Sequence, residues 1–219
     1  MRDRAGAVTA ICCALALAVL VVVLGLANPP RPTPIATDRL GPDNGEAVAD
    51  YLDRAASSVA GSDTDQHWAL VSLGPEATVD QAYRLAGGVR ISQVLFQVPI
   101  ERVQTQLIVV DVPADEAAVR RSPLVAAGRL QGSAGEWDRQ ARIDAVSAGR
   151  LADGCACVVG MTVRGDLAQL RALASKPGVR AVEALPADAV HGRFAVVPLL
   201  PEHVEVVRPG PDDGEVPAR

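Results

Sequence analysis

Apolar positions change their rhythm sharply along this chain, and the changes mark its parts. Ala5 to Ala27 is an uninterrupted run without a charged residue, opened by Arg2 and Arg4 and closed by Asn28-Pro29-Pro30. At about 1.5 Å per residue a helix of this length crosses the roughly 30 Å hydrocarbon core of a bilayer with its backbone bonds satisfied internally. The run therefore predicts a transmembrane helix over 5–27 behind a cytoplasmic tail, 1–4. Pro29, Pro30, Pro32 and Pro34 then predict an extended, semi-rigid linker over 28–42.

Beyond the linker the pattern becomes that of a folded domain, 43–203. Asp43-Asn44-Gly45-Glu46 reads as a capping box ahead of Val48, Tyr51, Leu52, Ala55 and Val59, which recur at helical spacing. From Trp68 short apolar runs alternate with helical stretches. Strands are expected at Trp68–Leu73, Val89–Val98, Val103–Val112, Cys155–Val163, Val179–Leu185 and Phe194–Leu199. Pro99-Ile100-Glu101-Arg102 reads as a hairpin turn, and Leu107-Ile108-Val109-Val110, apolar on both faces, as a central strand. Helices are expected at Thr78–Ala86, from an Asp115 cap until an interruption near Ser122-Pro123, at Ser133–Leu151 and at Asp166–Ser175. The Pro-, Asp- and Glu-rich residues 204–219 read as a disordered acidic tail.

An internal echo bears on the architecture. A helix followed by Gly88-Val89-Arg90 opening a strand recurs as a helix followed by Gly178-Val179-Arg180, and Val112 to Val119 parallels Val163 to Leu170. Both places need an Asp to start a helix and a glycine to end it before the chain re-enters the sheet. The order β-α-β-β-α-β predicts an α+β fold with a ferredoxin-like sheet and helices on one face, preceded by the transmembrane helix.

The apolar run has a second reading, because Gly25-Leu26-Ala27 puts small residues at a signal-peptidase site before Asn28. Secretory apolar regions span about 7 to 15 residues, so the longer run here favours an uncleaved signal-anchor. A lipoprotein reading fails, since Thr9-Ala10-Ile11 lacks the small residue expected before a lipidated Cys12. Arg2 and Arg4 balance Arg31 and Arg39, and the free amine tips the N-terminus inward. The expected localisation is the cell membrane, single-pass, with the C-terminal domain extracytoplasmic.

Charge narrows the partners. Setting aside Arg2, Asp3 and Arg4 leaves 19 basic against 25 acidic residues, a net −6, with no cluster of basic side chains. That opposes nucleic acid, whose binding needs grouped Lys and Arg. The bilayer, through residues 5–27, and a protein or envelope component are the expected partners.

No Gly-x-Ser-x-Gly elbow, Walker loop, Gly-x-Gly-x-x-Gly or His-Glu-x-x-His occurs, so no catalytic residue and no cofactor is assigned and the chain is not read as an enzyme. His67, His191 and His203 lie far apart and read as surface or strand-end residues, and Asp111 as a turn or cap residue at the end of a strand. Cys155-Ala156-Cys157 is the one chemically pointed feature. Alternation would align Cys155, Cys157, Val159, Met161 and Val163 on one face. Soft sulfur ligands suit Cu(I), but no histidine is near to complete a site, and no metal residue is assigned. In an oxidising compartment the two thiols can form a disulfide or redox pair; elsewhere they pack as small apolar side chains.

Two family resemblances rest on the same stretch. Val158-Val159-Gly160-Met161-Thr162, with Leu170, Leu173 and Pro177-Gly178-Val179-Arg180-Ala181-Val182-Glu183, resembles heavy-metal-associated domains over residues 155–185. In that family a Cys-x-x-Cys follows the Gly-Met-Thr; Val163 and Asp166 stand there, so the resemblance implies a βαβ geometry without the metal function. The Leu-x-x-Leu and Pro-Gly-Val-Arg-x-Val-Glu pattern also resembles the inhibitor-like prodomains of subtilisin-type proteases. In layout and composition the whole chain is similar to uncharacterised membrane-anchored proteins of GC-rich actinobacteria, which implies no particular activity. The leading expectation is thus a binding or assembly module on a membrane anchor; the alternatives are a redox or metal-handling protein using Cys155 and Cys157, and a protease-inhibitor-like domain.

Overall fold

Interleaving of two β-α-β units builds the sheet of this domain. The computed structural model describes residues 16–20, 38–131 and 138–218, and the chain divides into two units, Met1–Ile35 and Ala36–Arg219. Of the expected span 5–27 only residues 16–20 are described; they are helical, with Leu17, Val19 and Leu20 exposed. The remainder of that span, and the linker up to residue 37, lie outside the described residues. Among the described residues no helix is long and apolar enough to cross a membrane.

The larger unit is α+β. Its elements are β1 (Asp38–Leu40), α1 (Val48–Ser58), β2 (His67–Ala77), α2 (Val79–Ala86), β3 (Arg90–Phe96), β4 (Ile108–Asp111), α3 (Glu116–Gln131), α4 (Arg139–Ala152), β5 (Val158–Gly165), α5 (Leu167–Ala174), β6 (Val179–Ala184) and β7 (Phe194–Val196). Five strands form one antiparallel sheet in the order β4-β3-β5-β2-β6. Strand β5 lies between β2 and β3, and β2 lies between β5 and β6, so each β-α-β unit receives a strand of the other. The glycine half of the echo, Gly88-Val89-Arg90 and Gly178-Val179-Arg180, is this repeated corner, whereas Val112 to Val119 leads from β4 into α3, outside both units. Thr78 with Gln81 and Asp166 with Gln169 form capping boxes on α2 and α5, satisfying backbone N–H groups at each helix start.

Four helices, α2 to α5, pack on one face. Ala82, Ala86, Ala126, Leu130, Ile143, Leu151, Leu170 and Leu173 meet Val71, Val94, Phe96, Met161, Val163 and Val182 of the sheet in one continuous core. Helix α3 runs through Pro123 instead of stopping there. Proline lacks the N–H that would bond the Val119 carbonyl, and Ser122 Oγ donates to that oxygen in its place at 2.7 Å.

The expectation that helices cover one face alone is corrected by α1. It lies on the opposite face, where Val48, Tyr51 and Ala55 pack with Ala181, Leu199 and Val207. Beside it the parallel pair β1–β7 lays Leu40 and Phe194 on Trp68, Leu70, Leu95 and Val159. Thus residues 38–40, expected in the linker, belong to the domain. Gly41 turns the chain out of β1 with φ 109°, where a side chain would run into the Val197 carbonyl. Asp43 and Glu46 form a turn ahead of α1, which begins after Ala47, so they do not cap the helix itself.

Strand β4 is an edge strand, not a central one. Its two-sided apolarity has another cause: Ile108 and Val110 face the helix layer while Leu107 and Val109 face the second layer. The Arg129 guanidinium donates to the Val109 carbonyl, and at the other edge Ser58 Oγ accepts the Ala184 N–H at 2.8 Å. Both edges are thereby blunted against further strand pairing.

Residues 204–218, expected as a disordered tail, are seated on the domain. Gly45 donates to the Val207 carbonyl at 2.7 Å, Val48 to that of Glu205 at 2.9 Å and Val207 to that of Glu46 at 2.9 Å. Further on, Gly214 donates to the Arg102 carbonyl at 2.7 Å, Asp212 pairs with Arg139 at 2.9 Å and Asp213 pairs with Arg102. The carboxylates that suggested solvation are the contacts that hold the segment down.

Candidate binding groove and cysteine pair

A turn and the returning C-terminal segment enclose a concavity on the domain surface. The turn closes through a Val103 N–H to Ile100 carbonyl bond of 3.1 Å, with Arg102 in the left-handed region at φ 53°. Opposite it run residues 200–211, and between them opens a groove of about 1210 Å³. It is half open to solvent, unlike pockets that enclose most of a small ligand.

Its floor is pinned from below. Arg180 donates to the Leu200 carbonyl at 2.7 Å and to the His203 carbonyl, while His203 Nδ1 accepts the Leu200 N–H at 3.3 Å. Burial lowers the His203 pKa, keeping the ring neutral and able to accept. Next to the groove, α1 is locked to β6 by a buried carboxylate. Glu183 accepts the Gly41 N–H at 2.6 Å and pairs with Arg54, which also reaches Glu46 at 3.0 Å. Burial raises the Glu183 pKa despite these partners, and the Tyr51 hydroxyl is buried in the same cluster.

The lining carries a charge imbalance. Glu76, Glu101, Glu202 and Glu205 face the groove, and none is in an ion pair among the described residues. Of the lining arginines, Arg39 is taken by Asp43 and Arg102 by Asp213, which leaves Arg208. Val204, 75% exposed, and Val206 supply apolar surface beside the carboxylates. None of these residues stood out in the sequence. The signal was the alternation His203-Val204-Glu205-Val206, hidden in a segment whose composition read as disordered.

The residues that did stand out are dispersed. His67 joins three segments: its Nε2 lies 2.7 Å from Asp63 Oδ1 and its Nδ1 2.7 Å from the Leu185 carbonyl. Burial lowers its pKa, but Asp63 and the carbonyl outweigh that and raise it overall. His191 stacks on Trp68 at 4.7 Å, with Arg164 also over the Trp68 ring at 5.2 Å. Asp111 is exposed at the end of β4, accepts from Gln93 Nε2 at 2.8 Å and lies 3.7 Å from His191 Nε2. Among the described residues no three His, Cys, Asp or Glu side chains are gathered as metal ligands.

Cys155 and Cys157 are disulfide-bonded, with Cα atoms 5.3 Å apart. They precede the ladder of β5 and do not belong to it. The expected alignment with Val159 and Met161 is broken by a bulge: β5 pairs Gly160 with Ser72 and Leu95, then Val158 with Ala77 and Phe96. Cys157, Val158, Met161 and Val163 consequently face the helix layer and Val159 the other. No protein family, curated protein or solved structure matches the chain.

Proposed function

We propose that this chain is a membrane-anchored binding module whose extracytoplasmic domain takes up an extended, basic stretch of a protein partner. The carrying observation is the groove between the turn at 100–103 and residues 200–211, with four carboxylates against one uncommitted arginine and exposed valines between them. Complementary charge steers a cationic segment to it, and the open shape accommodates an extended chain. The strand order β3-β5-β2-β6 with its two interleaved units supports reading the domain as a ferredoxin-like sheet with β4 and the α3–α4 pair added. Residues 5–27 serve as the signal-anchor, by their length and the Arg2/Arg4 start. A bonded Cys155–Cys157 pair fits an oxidising compartment outside the cytoplasm.

Full-length protein in lipid nanodiscs, titrated with a fluorescent peptide of alternating Arg and Val, tests the reading. Binding should weaken steeply with salt, a Glu-Val peptide should not bind, and Glu202→Gln/Glu205→Gln should weaken it about 5- to 30-fold, at roughly 1 kcal/mol or somewhat less for each exposed pair lost. Equal binding of both peptides, or indifference to the double substitution, overturns it. Protease added to intact spheroplasts should digest the domain; full protection contradicts the orientation.

A further inference from the structure

We infer that Cys155 and Cys157 form a reversible thiol–disulfide exchange site, in which an external thiolate attacks Cys155 and Cys157 is the sulfur released. The reading is independent of the groove and rests on three features of the link between α4 and β5.

The bond is placed where it can open without disturbing the sheet. The Cys155 N–H already bonds the Arg150 carbonyl at 3.0 Å, and the Cys157 carbonyl accepts the Gln97 N–H at 2.9 Å. Gly154, at φ 77°, turns the chain out of α4, and the β5 ladder starts only at Val158. The link is thus anchored at both ends by backbone bonds whether or not the sulfurs are joined.

The bond also closes the shortest kind of loop. A disulfide stabilises mainly by restraining the unfolded chain, and the restraint grows with the length enclosed. With a sequence separation of two, this one lies at the weak end of that relation, so stability is a minor part of what it does.

The two sulfurs are unequal. Cys155 is half-buried between exposed Gly154 and Ala156, whereas Cys157 is 0% exposed and packs in the helix-face core. Attack on a disulfide comes from the side opposite the departing sulfur, so solvent access selects Cys155. The half-buried Cys155 sulfur is therefore the target of attack. In the forward step a thiolate of an extracytoplasmic low-molecular-weight thiol forms a mixed disulfide with Cys155, the Cys155–Cys157 bond breaks, and Cys157 leaves with the electron pair and takes a proton. A second thiolate attacks the external sulfur of the mixed disulfide and frees Cys155, so two external thiols become one external disulfide while the protein pair is reduced.

Trypsin cleavage after Arg150 and Arg164 yields a single peptide, 151–164, that carries both cysteines. Native full-length protein in detergent, incubated with graded glutathione and then alkylated, should show this peptide unmodified before reduction and doubly alkylated after it, with the melting temperature lowered by no more than about 6 °C. Acid quenching midway should trap glutathione on Cys155 at least tenfold more than on Cys157, located by peptide fragmentation. As a second readout, Cys157→Ala should accept glutathione from its disulfide at least tenfold faster than Cys155→Ala. Double alkylation before any reductant, reaction only in denaturant, loss of the fold on reduction, or equal trapping on the two sulfurs each overturns the inference; the intermediate-trapping arm decides even if neither variant folds.

Discussion

The two faces of the five-stranded sheet are covered by different physical means. On one, α2 to α5 lay down aliphatic side chains from helices joined to the strands by short local connections. On the other, α1, β1–β7 and residues 185–207 come from the two ends of the domain and are fastened by side chains reaching backbone groups far away in sequence. Glu183 holds Gly41, Ser72 Oγ accepts the Leu199 N–H at 3.1 Å, and Arg180 holds Leu200. The first face is a core that local pattern specifies; the second is a cover assembled from long-range contacts, and the groove belongs to it.

The largest effect should follow from charging the helix face. Val94, 0% exposed in the middle of β3, offers no partner to a carboxylate, and Val94→Asp should cost several kcal/mol of a total of about 5 to 15 kcal/mol. Chemical denaturation should find that variant unfolded, whereas Val109→Asp, half-buried on the edge strand, should remain folded with a lower midpoint. Equal stabilities would show that the helix face, which holds Val94, and the second face, which holds Val109, are not distinguished as described.

A smaller loss is expected from the second face. Leu40→Ala empties a fully buried site between β1 and the five-stranded sheet and should cost about 2 to 5 kcal/mol. Were residues 38–40 part of a free linker, the melting temperature would not move.

This contrast also explains what could be read from the sequence. Thr78, Asp115 and Asp166 are local caps, and the alternation of strand and helix from Trp68 to Ala184 follows from adjacent residues. Pro123 misled because its repair, Ser122 to Val119, is a side-chain contact that helix periodicity does not register. Prolines before residue 38 and acids after residue 204 gave both ends of the domain the composition of solvated chain, although Leu40 and Val207 are buried. Of the candidate chemistry, the cysteine pair was legible from spacing; the groove carboxylates become a group only once Glu76, Glu101 and Glu205 are brought together from separate segments.

The weakest effect is one of pH. His67 has a raised pKa in the fold, so the stability it adds is fully present below its ordinary value of about 6.5 and fades as pH rises through the higher folded value. His203, with a lowered pKa, acts in the opposite sense and below that value, so subtraction of a His67→Gln variant isolates the first effect. The stability difference between parent and His67→Gln should shrink steadily above pH 6.5. A difference that stays constant to pH 9 would mean that the imidazolium does not clip Asp63 to Leu185.

Amide hydrogen exchange on the full-length protein addresses the central claim most directly, that the ends of the domain close its second face as a cooperative cover. The amides of Gly45, Val48, Val197 and Val207 are hydrogen-bonded within that cover, and that of Gly41 fastens it to Glu183 of β6. They should exchange together, slower than amides of exposed loops and faster than those of β2, β3 and β5, because the cover opens without the sheet. Unprotected exchange at these five positions would contradict the account, as would five unrelated rates.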